Sequence, residues 1–259
     1  MPAESEPPPP FSWADDELDN PHLNANKAGK VRGMFTSIAP AYDLNNRLHS
    51  LWMDQYWRRV AVREAAVQPG DTVADLACGT GDLTMAFARS PSSKVIGLDY
   101  TAAMLDVARH KVSALPPSSR AKVSYVEGDA HHLPLEDASV DVVSIAFGIR
   151  NVADPARVAS ECARILRPSG RIVILEFCTP RNPCVRWLNS VYCGLVMPRT
   201  ATWISGDKSG AYKYLPSSVS TFMDPPKMVG LLLRSGFEDV GSRTLFPGIC
   251  QCYRGTRGS

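Results

Sequence analysis

The chain has 259 residues, a formal net charge of +2 and 44% hydrophobic residues. That length fits one α/β domain with additions, or at most two domains, and the composition supplies a sizeable core. The near-neutral charge gives no footprint for nucleic acid, and no apolar run approaches the ~18 residues that a membrane span needs.

Residues 1–26 read as a disordered acidic, proline-rich tail. Glu4, Glu6, Asp15, Asp16, Glu17 and Asp19 precede any Lys or Arg, and Pro7 to Pro10 form a proline run. This is neither a secretory signal nor a basic transit peptide, so a cytoplasmic protein is expected. Residues 27–259 read as a single domain. It opens with helices over 27–66 that break near Pro40, where Trp52, Tyr56, Trp57 and Val60 share a face whose tryptophans read as core packing.

From residue 71 strands and helices alternate. Strands are expected at 71–77, 94–99, 122–127, 139–146 and 170–177, and helices at 81–90, 101–113 and 154–166. Asp154 is the expected N-cap of the last helix, with Pro155 in its first turn. Alternation of this kind predicts a doubly wound, mostly parallel sheet covered on both faces, with its ligand at the carboxyl ends of the strands. Asp75, Asp99, Asp129 and Arg150 all fall at such ends. An aromatic-rich helical insertion over 184–223 interrupts the alternation, and reads equally as a lid over the site or as a packed subdomain. It carries Trp187, Tyr192, Met197, Trp203, Tyr212, Tyr214 and Phe222. Residues 237–246 and 249–254, joined at Pro247-Gly248, close the chain as a β-hairpin. The seven cysteines include no Cys-x-x-Cys pair and read as reduced thiols, and no metal site is expected.

The first strand carries the most chemical information. Val73 to Ala77 run into Gly79 and Gly81, and a helix follows. Such a turn offers bare N–H groups and a positive helix end to a ligand. A dinucleotide fingerprint wants a third glycine, and here that position is Thr84. Asp75 would repel a pyrophosphate but pairs readily with an amino group. Asp99, at the end of the second strand, is placed to accept ribose hydroxyls, with Tyr100 beside it. An acid at a ribose, an acid near an ammonium and no pyrophosphate cradle point to S-adenosylmethionine and away from a nicotinamide cofactor.

Several segments together resemble a known family. They are Met34 to Asn45, Asp75 to Leu83, Phe147-Gly148-Ile149-Arg150-Asn151-Val152, Arg164 to Arg171 leading to Leu175-Glu176-Phe177, Ala211 to Leu215, and Pro247-Gly248 ahead of Tyr253-Arg254-Gly255. Over about residues 30–255 the chain resembles the ubiquinone/menaquinone biosynthesis C-methyltransferases (UbiE/MenG type), within the class I S-adenosylmethionine-dependent methyltransferases of Rossmann-like fold. The resemblance implies that Asp129 meets the adenine amino group and the Ala130 N–H its ring, and that Thr80 and Gly81 line the methionine end. Ala146 stands where the family often has Ser.

It also implies a prenylated quinol as methyl acceptor, and a catalytic cluster of Tyr42, Arg150 and Asn151. Arg150 would stabilise a phenolate and Asn151 would orient a water or a ring oxygen. His49, His131 and His132 are further bases by type, each read as solvated or packed. A transient contact with a membrane surface, at the inner face of the plasma membrane, and a homodimer are expected. Benzoquinol and naphthoquinol acceptors remain alternatives, with demethylmenaquinol favoured. Other phenolic or lipid acceptors, and a non-catalytic subunit of a quinone-synthesis complex, also remain.

Overall fold

The computed structural model describes residues 11–207 and 209–258. Helix α1 (Lys27–Ile38), a 3-10 turn (Ala39–Ala41), α2 (Tyr42–His49) and α3 (Met53–Glu64) precede the sheet. Pro40 sits inside the 3-10 turn, where a missing N–H costs least. Strand β1 (Thr72–Leu76), α4 (Asp82–Ala88), β2 (Lys94–Asp99), α5 (Ala102–Lys111), the one-turn α6 (Pro117–Arg120), β3 (Val123–Glu127) and β4 (Val140–Ala146) follow. Helix α7 (Pro155–Ile165) starts at the expected cap, where Asp154 accepts the N–H groups of Ala156 and Arg157.

Strand β5 (Leu166–Phe177) begins four residues before its expected start. Val140 pairs with Leu166 and Val142 with Arg171 across an irregularity that absorbs the extra residues. Next come α8 (Pro183–Val191), a π turn (Tyr192–Val196), α9 (Met197–Ser205), α10 (Ala211–Thr221) and α11 (Pro225–Arg234). The hairpin of β6 (Phe237–Leu245) and β7 (Cys250–Arg257) ends the chain.

The seven strands run in the order β3-β2-β1-β4-β5-β7-β6. β1 to β5 are parallel, and β7 pairs antiparallel with both β5 and β6. The order reverses between β1 and β4, the place where such sheets open a ligand crevice. One apolar core packs α7 and α11 on the sheet, and a second packs α3 and α4 on its other face around the fully buried Trp57, whereas Trp52, expected in the core, stands at the N-cap of α3 and is 59% exposed.

A third core bears out the packed reading of the insertion and departs from expectation at the N-terminal segment. Trp13, Met34, Ile38, Met197, Ala201, Tyr212 and Tyr214 bury one another, so the 184–223 insertion packs against α1 and its flanks. Trp13 stacks on Tyr214 at 4.7 Å, and its backbone N–H donates to the Ser209 carbonyl. Residues 11–26 are therefore packed structure and not part of a disordered tail. Aromatic burial outweighs the acidic composition there, and Glu17 is held by Lys30. Residues 1–10 lie outside the described residues.

Candidate active site

A cavity opens at the carboxyl ends of β1, β2 and β4. Its wall includes Gly79, Asp99, Tyr100, Asp129, Ala130, Ala146, Tyr42 and Asn151, so the structure gathers eight of the expected site residues at one place. Ala28, Val31, Arg32 and Phe35 cover it from one face of α1. Their i, i+3, i+4, i+7 spacing was the readable signal for this cover, which sequence reasoning missed. None of Trp187, Tyr192, Met197, Trp203, Tyr212, Tyr214 or Phe222 lines this cavity. The insertion backs the N-terminal helices, and those helices form the cavity wall.

The glycine turn is built for close approach. Gly79 has φ +56°, and a Cβ there would point into open space. Gly81 has φ +79° and no room, since a Cβ would lie 2.3 Å from the Tyr125 hydroxyl. Gly81 thus fixes the turn without lining the cavity. Thr80 is also turned away. It is buried, and its hydroxyl donates to Asp43 on α2 at 2.6 Å. Lys111 joins Asp43 to Asp82, and Arg47 ties Asp82 to Asp54. Burial alone would raise Asp82, but the charges of Arg58 and Lys111 outweigh it and hold its carboxyl at about 2. These ions pin α2, and with it Tyr42, to the turn. The methionine-end contacts expected of Thr80 and Gly81 are replaced by these two supporting roles.

Asp99 accepts the Gly79 N–H and the Thr101 N–H, each at 2.8 Å on a different oxygen. Each oxygen keeps a lone pair for a ribose hydroxyl. Burial raises its pKa, and the Gly79 N–H works against that rise. Arg32 lies 4.7 Å over the Tyr100 ring and pairs with Glu127 at 2.8 Å, so α1 closes over the cavity beside Asp99. Asp129 accepts the backbone and ring N–H groups of His131 at 2.9 and 2.6 Å. The other ring nitrogen of His131 accepts the Asp154 N–H at 3.0 Å, which fixes the neutral tautomer with its proton on Nδ1. Neither nitrogen is then free to act as a base.

Asp75 is placed differently from expectation. It is fully buried beneath the turn, and its oxygens accept the Thr84 and Ser144 hydroxyls at 2.6 and 2.7 Å. It does not line the cavity, so it braces the turn instead of meeting a ligand's ammonium. The Thr84 that displaces a third glycine is its partner. Burial pushes the Asp75 carboxyl up to about 6. The folded state therefore holds a proton that the unfolded state has released, and stability falls as pH rises from about 4 to about 6. The loss amounts to roughly 3 kcal/mol for a shift of about two units. Chemical denaturation of Asp75→Asn should show that slope removed; an unchanged slope would assign it to other groups.

Arg150 also departs from its expected place. It is 4% exposed, does not line the cavity, and its guanidinium pairs with buried Glu176. Its Nε donates to Ser218 at 3.1 Å, while Lys27 donates to the carbonyls of Arg150 and Val152 at 2.8 and 2.6 Å. Lys27 is itself buried, which lowers its pKa to about 8. Nothing in the sequence marked it, since lysine is ordinarily solvated. Asn151 does face the cavity. Its Oδ1 accepts the Tyr214 hydroxyl at 3.0 Å and its Nδ2 donates to the Phe147 carbonyl at 3.1 Å. One amide N–H remains for a ligand. Tyr42 stands edge-on to Phe35 at 5.9 Å, and burial raises its pKa against the opposing charges of Arg58 and Arg150. His49 lies apart, with Nδ1 2.5 Å from the Tyr192 hydroxyl.

The residues fit S-adenosylmethionine. An open glycine turn, a carboxylate at the second strand's end and an acid beyond the third strand line one cavity without a pyrophosphate cradle. The pattern that describes the ubiE/COQ5 methyltransferase family matches residues 23–257. A ubiquinone/menaquinone biosynthesis C-methyltransferase UbiE of Geobacter sulfurreducens is 40% identical over 234 residues, 90% of each chain. A demethylmenaquinone methyltransferase of Deinococcus radiodurans is 41% identical over 214 residues, 82% of this chain and 87% of that relative. Among solved structures, a SAM-dependent methyltransferase from Aquifex aeolicus superposes with a TM-score of 0.54 at 18% identity, over 77% of this chain and 88% of its own. A phosphoethanolamine N-methyltransferase 2 of Haemonchus contortus, solved with S-adenosyl-L-methionine, gives 0.56 at 14% identity over 78% and 52%. The last two show the shared fold.

Proposed function

This chain belongs to the ubiE/COQ5 methyltransferase family, and we propose from that premise that it methylates a ring carbon of a prenylated quinol, converting demethylmenaquinol to menaquinol. The observation that carries the proposal is a single cavity in which the Asp99 carboxylate and the Asn151 amide both face a common space beside Tyr42. S-adenosylmethionine, when bound, supplies a methyl group already activated by a sulfonium.

The acceptor needs help from the protein. A ring carbon becomes nucleophilic as the neighbouring hydroxyl ionises, so the residues must favour the phenolate and hold the ring in line. Asn151 offers its free N–H to the ring oxygen, in an orientation fixed by Tyr214 and Phe147. Tyr42 offers a hydroxyl from the opposite segment. Arg150 contributes positive charge from behind the wall and holds the Phe147–Asn151 loop through Glu176 and Ser218. The carboxylates and the histidine of the wall already carry hydrogen bonds. Asp99 and Asp129 accept N–H bonds, and His131 is bonded at both nitrogens. As the methyl group joins the ring carbon, the sulfur keeps the electron pair of the broken bond, that carbon's hydrogen leaves as a proton and the hydroxyl is restored, so one net proton passes to water.

Among the described residues no helix is long and apolar enough to cross a membrane. The isoprenoid tail of the acceptor stays in the bilayer, and the protein meets the ring at the membrane surface, on the cytoplasmic side. The test is complementation of a bacterial strain that lacks its own quinone C-methyltransferase. The wild-type chain should restore the methylated quinone. Tyr42→Phe and Asn151→Ala should each reduce it about tenfold or more, the range of a lost positioning contact. Fully competent Tyr42→Phe and Asn151→Ala would instead mark a subunit without this chemistry.

A further inference from the structure

Residues 177–206 contain Arg181, Arg186 and Arg199 and not one Asp or Glu. All three arginines are exposed. Within this stretch α8 and the π turn show Trp187, Leu188, Val191, Leu195 and Val196 to solvent, between 38% and 66% exposed, and Trp203 on α9 reaches 87%. Trp187, Leu188, Val191 and Leu195 recur at helical spacing, so they form one apolar face. The face continues onto α2 through the 2.5 Å contact of Tyr192 with His49. There Leu44, Leu48, Leu51 and Trp52 are 40% to 81% exposed. Leu51 and Trp52 both have positive φ, at 50° and 61°. Two consecutive bulky residues in that region are costly, and neither side chain gains burial in return. The acids nearest on α2 and α3 do not oppose an anion, because Asp43 is bonded to Lys111 and Asp54 to Arg47.

We infer that this face, formed by α8, the π turn, α9 and the end of α2, is where the protein docks on the headgroup boundary of an anionic lipid bilayer. Exposed tryptophans and leucines among arginines, with no acid among them, suit that boundary and no ordinary solvated surface. Charge chooses the occupant. Three unopposed arginines repel a second copy of the same face and attract anionic headgroups. Helix α2 links the face to the chemistry, since its first residue, Tyr42, lines the cavity while Leu44 and Leu48 face outward. The inference rests on the proposed reading of a prenylated acceptor only for its purpose; the docking itself is tested without one.

The full chain is floated with vesicles of phosphatidylglycerol and phosphatidylcholine, and with phosphatidylcholine alone. Binding to the anionic vesicles should be strong and should weaken with salt. Leu188→Glu/Leu195→Glu should lower it about tenfold or more, and Arg181→Gln/Arg186→Gln/Arg199→Gln should remove most of the preference for anionic lipid. Every altered side chain is exposed, and an unchanged S-adenosylmethionine affinity confirms folding. Turnover of a short-chain, water-soluble demethylmenaquinol should be unaffected in both variants, while turnover of a long-chain quinol in vesicles falls with binding. Wild-type protein that ignores the vesicles, or a Leu188→Glu/Leu195→Glu variant that binds as well as wild type, would overturn the inference. So would a sedimentation-defined dimer that the same variant dissolves. If the short-chain quinol is not methylated at all, the functional reading fails and the vesicle result is judged alone.

Discussion

Asp99→Ala should weaken S-adenosylmethionine binding by about two to three orders of magnitude while leaving the fold intact. The carboxylate lies on the cavity wall, and each of its oxygens accepts one backbone N–H, from Gly79 or from Thr101. Hydrogen bonds to a charged group contribute ~1.5–3 kcal/mol each, so losing both ribose contacts accounts for the magnitude. The Gly79 N–H also loses its acceptor, which frees the turn that must approach the ligand. Stability should not fall in step, because burial already disfavours the ionised carboxyl. Asp99→Asn should not rescue binding, since its amide NH2 must face either the Gly79 or the Thr101 N–H. Titration calorimetry reads the effect, and an affinity within threefold of wild type would remove Asp99 from the ribose.

The second large effect concerns Arg150 and Glu176. Either Arg150→Met or Glu176→Leu leaves one charge buried without its partner, which costs about 3–5 kcal/mol. For a chain of this size that lowers the melting temperature on the order of 10 °C. The double variant replaces the pair by apolar side chains and should regain most of the stability. It should not regain methyl transfer, because the positive charge behind Tyr42 and the bond to Ser218 are both gone. Thermal melts and turnover measured on the same three proteins separate the two roles. A double variant that recovers both would reduce Arg150 to packing.

Much of the fold was legible because its signals are local. Short apolar runs that lead into glycine or aspartate marked four of the five parallel strands, the apolar run Ile172 to Leu175 marked the fifth, and Pro247-Gly248 marked the closing turn. The strand ends then located the cavity, and eight expected residues do lie on its wall. What the sequence did not disclose is direction. Asp75 turns toward Ser144, 69 residues away, and Arg150 toward Glu176, 26 residues away. A motif shows that a charge is present, whereas its partner is set by sheet register. Thr80 and Gly81 sit in the turn as expected, but Asp43 and Tyr125 claim their free sides. The cover over the cavity was missed for a different reason. The apolar face of α1 is weak, interrupted by Arg32 and led by a lysine whose burial is explained by its partners, the carbonyls of residues 150 and 152 and the His22 ring. Composition also misled at residues 11–26, where one tryptophan decides the packing against a run of acids.

The most direct measurement is the position of the transferred methyl group. Purified protein, S-adenosylmethionine labelled with ¹³C at the methyl group and a short-chain demethylmenaquinol, kept reduced, should give a product whose label resonates as an aryl methyl on a ring carbon. A methoxy resonance, or labelled cofactor left intact beside bound quinol, would contradict carbon methylation by this site.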